Sequence, residues 1–151
     1  MVEYRKLLES EIEAYVEHRL EFINVISHIQ DEAAFRQVTR SYLEEFVASN
    51  EALIYVAVEE REIVASCLIN VSRTAPGPSC LNGKIGELLN VYTKEGYRRK
   101  GHAKKLIELA IEEAKSLEVS YILLVATEDG YPLYQSMGFQ LLDREMKLSL
   151  Q

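Results

Sequence analysis

Residues 85–126 constrain the fold more than any other part of this sequence. Ile85–Thr93 reads as a strand. From His102 to about Leu117 the chain reads as an amphipathic helix, with Ala103, Leu106, Ile107, Ala110, Ile111 and Ala114 along one stripe. Tyr121–Ala126 is a continuous apolar run, the pattern of a strand buried on both faces. Strand, helix, strand at this spacing is a βαβ unit, so the two strands run parallel and the helix crosses over them in a right-handed sense.

The flanking segments supply the rest of an α/β layer structure. Val2–Leu7 alternates weakly as a first strand. Glu9 to about Ile29 has helical spacing through Ile12, Tyr15, Val16, Leu20, Ile23 and Ile26, and Asp31 is placed to cap a second helix running to about Ser49. Leu53–Val58 and Ile63–Ser72, joined by the polar turn Glu59–Glu62, read as an antiparallel hairpin. Thr74–Lys84, with Pro76, Gly77, Pro78 and Gly83, is a loop of a length that suits a flap over a site. Pro132 opens a short helix ended by Gly138, and Glu145–Leu150 alternates as a half-exposed strand. At 151 residues a single compact domain, 1–151, is expected.

The turn between the first βαβ strand and its helix breaks a local rule. A helix N-terminus carries unpaired N–H groups and about half a positive charge, so cations there are unfavourable by roughly 0.3–1 kcal/mol each. Arg98, Arg99, Lys100, Lys104 and Lys105 nevertheless crowd this end, with no Ser, Thr, Asp or Asn placed as a cap. A bound polyanion such as a pyrophosphate would complete the structure. The whole chain has a net charge of −7, which opposes general binding to nucleic acid or an anionic membrane. Residues 94–105 hold six of the 17 Lys and Arg against one acid, Glu95, so the basic character is focused as for a small anionic ligand.

Two blocks in this order resemble the GNAT (Gcn5-related) N-acetyltransferases. The family's Arg/Gln-x-x-Gly-x-Gly/Ala signature stands as Arg98-Arg99-Lys100-Gly101-His102-Ala103. A second block, a buried strand followed by a short tyrosine-bearing helix and Gly-Phe, stands as Tyr121–Ala126 and Tyr131–Phe139. Close similarity covers residues 85–139, and the element order covers nearly the whole chain. The resemblance implies a GNAT fold: a central mixed, mostly antiparallel sheet whose parallel pair splays to hold acetyl-CoA, flanked by helices. One departure is Lys94-Glu95-Gly96, where many relatives carry a proline.

The resemblance also implies roles. The backbone from Arg99 to Lys104, including Lys100, Gly101, His102 and Ala103, would receive the pyrophosphate. Gly101 permits close approach there and Ala103 keeps the entrance open. Arg98 matches the family's anion-binding position; Arg99, Lys100, Lys104 and Lys105 add field or reach the 3′-phosphate. Leu89, Asn90 and Val91 would offer backbone to the pantetheine arm, faced by Ala126 and Thr127, in the manner of an added strand. Tyr134 matches the family's tyrosine near the thioester sulfur and is the candidate general acid, with Tyr131 as substitute. Glu87, eleven residues before Arg98, matches the glutamate of the histone acetyltransferase branch. In a strand beside Ile85 and Leu89 it would be partly desolvated and act as general base; otherwise it orients substrate while deprotonation runs through water. A backbone N–H near Val91 would polarise the thioester carbonyl. Direct transfer to a primary amine in a ternary complex follows; the alternative is a non-catalytic acyl-CoA-binding regulatory domain on the same fold.

The acceptor, a small-molecule or peptide amine, is open. Asn90 and Tyr92 share one strand face and line its pocket in this reading. Arg73 is within reach of the loop and has a surface position, and His18 and His28 are read as surface residues. His102 occupies the variable position of the signature and has no catalytic role. Cys67 reads as a core residue and Cys80 as an exposed loop residue, neither placed to carry an acyl group. No CxxC or His/Cys spacing suggests a metal, and two cysteines in such a chain suit a reducing, cytoplasmic compartment. No apolar run approaches the roughly 20 residues of a membrane span. The absence of Gly-Lys-Ser/Thr excludes a P-loop. The strand-like C-terminus leaves a homodimer open.

Overall fold

A computed structural model describes all of residues 1–151. The chain forms β1 (Glu3–Lys6), a 3₁₀ turn (Glu9–Glu11), α1 (Ile12–Ile26), α2 (Glu32–Ala48), β2 (Ala52–Glu59), β3 (Glu62–Arg73), β4 (Lys84–Thr93), α3 (His102–Ser116), β5 (Ile122–Leu123) and α4 (Tyr131–Ser136). The five strands make one sheet in sequence order. The pairs β1–β2, β2–β3 and β3–β4 are antiparallel, and β4–β5 is parallel. Helices α1 and α2 cover one face and α3 the other.

Alternation along the central strands sorts the core. Ile54, Val56, Val58 and Leu68 point toward Tyr15, Val16, Leu20 and Leu43 of α1 and α2. Leu53, Ala57, Cys67 and Ile69 point toward Leu106, Ile107, Ala110 and Ala114 of α3. With a helix layer on both sides, β2 and β3 lose the polar face that a half-exposed strand would show. Asp31 caps α2 as expected, its carboxylate accepting from the Ala34 N–H at 3.0 Å. The β2–β3 turn places Glu60 and Arg61 at φ 50° and 67°, the left-handed pair of a two-residue hairpin.

Several local expectations are corrected. The first helix begins at Ile12, because the Glu11 carboxylate is held outside it by Arg5 (2.7 and 2.8 Å) and the Leu8 N–H (2.9 Å). The apolar run 121–126 yields only two strand residues, half-buried, and Val125 is 87% exposed. Pairing with β4 stops at Glu87–Leu123, and no strand lies on the outer side, so the rest of the run has nothing to bind. For the same reason Glu145–Leu150 forms no strand: it alternates, but the sheet ends at a two-residue edge. Cys80 is buried. The 74–84 segment is a stapled hairpin end, not a loose flap. Asn82 accepts from the Lys84 N–H (2.9 Å) and the Ser120 hydroxyl (3.0 Å) and donates to Glu118 (2.8 Å), and Arg73 donates to the Asn82 carbonyl.

Candidate functional site

The sheet opens where its parallel pair divides. β4 and β5 exchange pairs only at Gly86–Ile122 and Glu87–Leu123, yet β4 runs on to Thr93. Gly86 sits at the closed end, where an added Cβ would lie 3.0 Å from Ile69 and 3.3 Å from Ile122. Past that point Leu88–Thr93 and the segment after Leu123 separate. On β4 the register against β3 slips: Leu89 faces Leu68 and Tyr92 faces Ser66, leaving Asn90 and Val91 opposite Cys67 alone. Asn90 takes φ 54°, so this is a bulge that lifts backbone out of the ladder beside the opening. Leu89, Asn90 and Val91 therefore lie together at the split, with Thr127 beyond the end of β5.

At the open end stands the N-terminus of α3. Its N-cap is Gly101 in the left-handed region (φ 82°), with no side-chain cap and no acid in the first turn. Arg99 is also left-handed, at φ 63°. The Arg98 guanidinium donates to the Thr93 carbonyl at 3.0 Å, pinning the turn to the end of β4, and the Lys100 ammonium lies 5.6 Å from the Tyr97 ring centre. Arg98, Arg99, Lys100, Lys104 and Lys105 are exposed and take part in no ion pair. Lys94 differs: it is paired with Glu62 at 2.7 Å and turned toward Glu21. Five cations thus remain unneutralised around free N–H groups, a donor set that fits the phosphates of a coenzyme A. The His102 side chain faces the other way, 5% exposed, with its Nδ1 2.7 Å from the Tyr4 hydroxyl; only its backbone belongs to the turn.

Tyr134 is held by the turn before it. Thr127 accepts from the Gly130 N–H on its hydroxyl (3.1 Å) and from the Tyr131 N–H on its carbonyl (3.0 Å), which starts α4. Gly130 lets the ring lie close: a Cβ there would be 2.8 Å from Tyr134 Cε2. Phe139 packs edge-on against the ring, centroids 5.9 Å apart. The hydroxyl has no hydrogen-bond partner in the protein, and burial pushes its pKa above the ordinary tyrosine value. Burial likewise raises the Cys67 thiol to about 12, which removes it as a nucleophile.

Glu87 lies on the opposite face of β4, toward α1 and α2, directly across from Asn70. It is exposed, so the desolvation expected for it is not there. Asn90 lines a cleft on this face; Tyr92 does not, because its ring packs between His18 and Phe22 at 5.2 Å from each. His18 is a correction too: it is 4% exposed, and burial together with Lys94 lowers its pKa to about 4. The cleft, about 360 Å³, is bounded by Arg19, Phe35, Thr39, Tyr42, Asn70 and Leu89 among others. Most of these residues escaped the sequence reading. One signal was present: Arg19 falls three and four residues after Val16 and Tyr15, on the stripe that faces the core.

The acetyltransferase (GNAT) family model matches residues 14–139. A predicted acetyltransferase from Clostridium acetobutylicum, solved with acetyl-CoA, superposes with a TM-score of 0.91 at 27% identity, over 99% of this chain and 97% of that one. A GCN5-related N-acetyltransferase from Ralstonia eutropha JMP134 gives 0.85 at 26% identity, over 99% of both chains. Glucosamine-6-phosphate N-acetyltransferase from Arabidopsis thaliana shares the fold, with a TM-score of 0.74 at 18% identity, over 100% of this chain and 99% of that one. No curated protein matches by sequence. With the split sheet, the unneutralised turn and the family match over residues 14–139, the chain belongs to the GNAT family of acetyltransferases.

Proposed function

We propose that the chain moves an acetyl group from acetyl-CoA to a primary amine by direct attack in a ternary complex. The observation that carries this reading is the convergence at one split in the sheet: the uncapped, cationic start of α3 at its mouth, the β4 bulge along one side, and the free Tyr134 hydroxyl beyond β5. Bound acetyl-CoA supplies an activated acyl carbon and a thiolate leaving group. The N–H groups from Arg99 to Lys104, with Arg98, would hold its pyrophosphate, and Leu89, Asn90, Val91 and Thr127 would flank its arm. An N–H near Val91 polarises the carbonyl. The C–N bond forms as the C–S bond breaks. The amine's proton passes to Glu87, directly or through water, and Tyr134 gives its proton to the departing sulfur. Exposure of Glu87 favours the route through water.

The test is thiol release with acetyl-CoA and a panel of polyamines, amino acids, aminoglycosides and peptides. Release that needs both substrates, with intersecting double-reciprocal plots, is expected, and Glu87→Gln should move the acid limb of kcat/KM. Tight CoA binding with no turnover across the panel would instead indicate a binding domain.

A further inference from the structure

The cleft on the α1–α2 side of β4 contains an arginine with no acidic partner. Arg36 pairs with Glu17 and Glu32, and Arg40 with Glu13, but Arg19 has no carboxylate within ion-pair distance. It is half-buried and held in place. One terminal nitrogen donates to the Thr39 hydroxyl at 3.1 Å, and the guanidinium carbon lies 5.2 Å from the Phe35 ring centre. The Thr39 hydrogen bond and the Phe35 ring hold the guanidinium while leaving its other N–H donors free for a planar, bidentate anion. Around it Leu43, Leu68 and Leu89 give apolar walls, and Asn70 and Asn90 offer amides. The Tyr42 hydroxyl donates to Asn70 Oδ1 at 2.7 Å, which leaves the Asn70 amide N–H₂ without a partner. Glu87 stands across the ladder from Asn70 on the same face, on the strand that borders the split.

We infer that the acceptor is an amino-acid-like zwitterion, a small molecule with an apolar side chain, whose carboxylate is held by Arg19 and whose amine is presented beside Glu87. The inference rests on the transfer reaction proposed above and names its acceptor class. A volume of about 360 Å³ suits a small molecule rather than a protein segment. Charge decides the anion. One guanidinium balances a carboxylate, whereas a phosphate dianion would leave excess negative charge facing Glu87.

The test compares L-leucine, leucinamide, 3-methylbutylamine and the aminophosphonic acid analogue of leucine as acceptors, using the full-length protein, Arg19→Gln and Arg19→Lys. Variant-to-wild-type ratios cancel the different basicities of the amines. Arg19→Gln should lower kcat/KM for leucine by about tenfold or more, with Arg19→Lys recovering part of the loss, while the two analogues without a carboxylate are nearly unaffected. Equal losses for all acceptors, a larger Arg19→Gln loss for the analogues without a carboxylate, or a larger loss for the phosphonate would each overturn the inference. Equilibrium binding to the CoA complex is measured in parallel. Arg19-dependent leucine binding without turnover would sink the transfer reaction and keep the carboxylate site. Turnover of other amines without Arg19-dependent preference would do the reverse, and the absence of both would sink both.

Discussion

Tyr134 shows how much of a residue's chemistry is set by its neighbours. Its hydroxyl is unpartnered and its pKa is raised by burial, so it stays protonated through neutral and mildly alkaline pH. Tyr134→Phe should lower kcat by about 100-fold and abolish an alkaline limb that lies above the ordinary tyrosine range in the wild type; a kcat–pH profile checks both. Gly130 has an ordinary helical backbone, so alanine fits there except for the Tyr134 ring 2.8 Å away and the Thr127 hydroxyl at 3.2 Å. Gly130→Ala should therefore displace the ring and cut kcat, measured at saturating acetyl-CoA. The short helix that carries Tyr134 was legible in the sequence because Pro132 and Gly138 mark its ends locally. The exposure of Glu87 was not, since the alternation of a strand says which face a residue takes but not what covers that face.

At the scale of elements, the proposed function has the start of α3 trade stability for binding. Its first turn has no acid and no cap, and its cations are unpaired. Removing one should stabilise the free protein and weaken its complex. Lys104→Gln is expected to raise the stability of the unliganded chain by roughly 0.3–1 kcal/mol, seen as a higher denaturation midpoint. The same change should weaken acetyl-CoA binding by about tenfold, measured by calorimetry. A loss of stability would mean that these cations are satisfied within the protein. The helices were readable in advance because a stripe and a cap are local. β5 and the C-terminal tail were overread for the opposite reason: an apolar or alternating run becomes a strand only where a neighbouring edge exists to pair with it.

Across the whole molecule, packing of α1 on β4 creates a pH dependence that no single element contains. Tyr15, His18, Tyr92 and Phe22 form a chain of rings, with centroids 6.2, 5.2 and 5.2 Å apart. Neither nitrogen of His18 has a hydrogen-bond partner. Its pKa, about 4, lies below the ordinary histidine value of 6.5, lowered first by burial and then by Lys94, with Glu62 opposing. The unfolded chain therefore takes up a proton before the folded one does. Stability is full above about pH 6.5 and falls as pH drops toward 4. Between pH 7 and pH 5 the loss should be about 2 kcal/mol by urea denaturation, and His18→Phe should flatten it. An unchanged slope in that variant would mean that His18 does not carry the dependence.

By itself the sequence determined the element order over most of the chain, the parallel unit at 85–126, the uncapped cationic turn and the short helix that carries Tyr134. These depend on periodicity, turn chemistry and motif spacing, all of them local. The tertiary structure alone decided how far β5 extends, that His18 and Cys80 are buried, and that Arg19, Thr39, Tyr42, Asn70 and Asn90 meet in one cleft. Those residues come from α1, α2, β3 and a bulge in β4. Their meeting depends on strand register and helix packing, which are settled only when distant parts of the chain compete to bury the same surfaces.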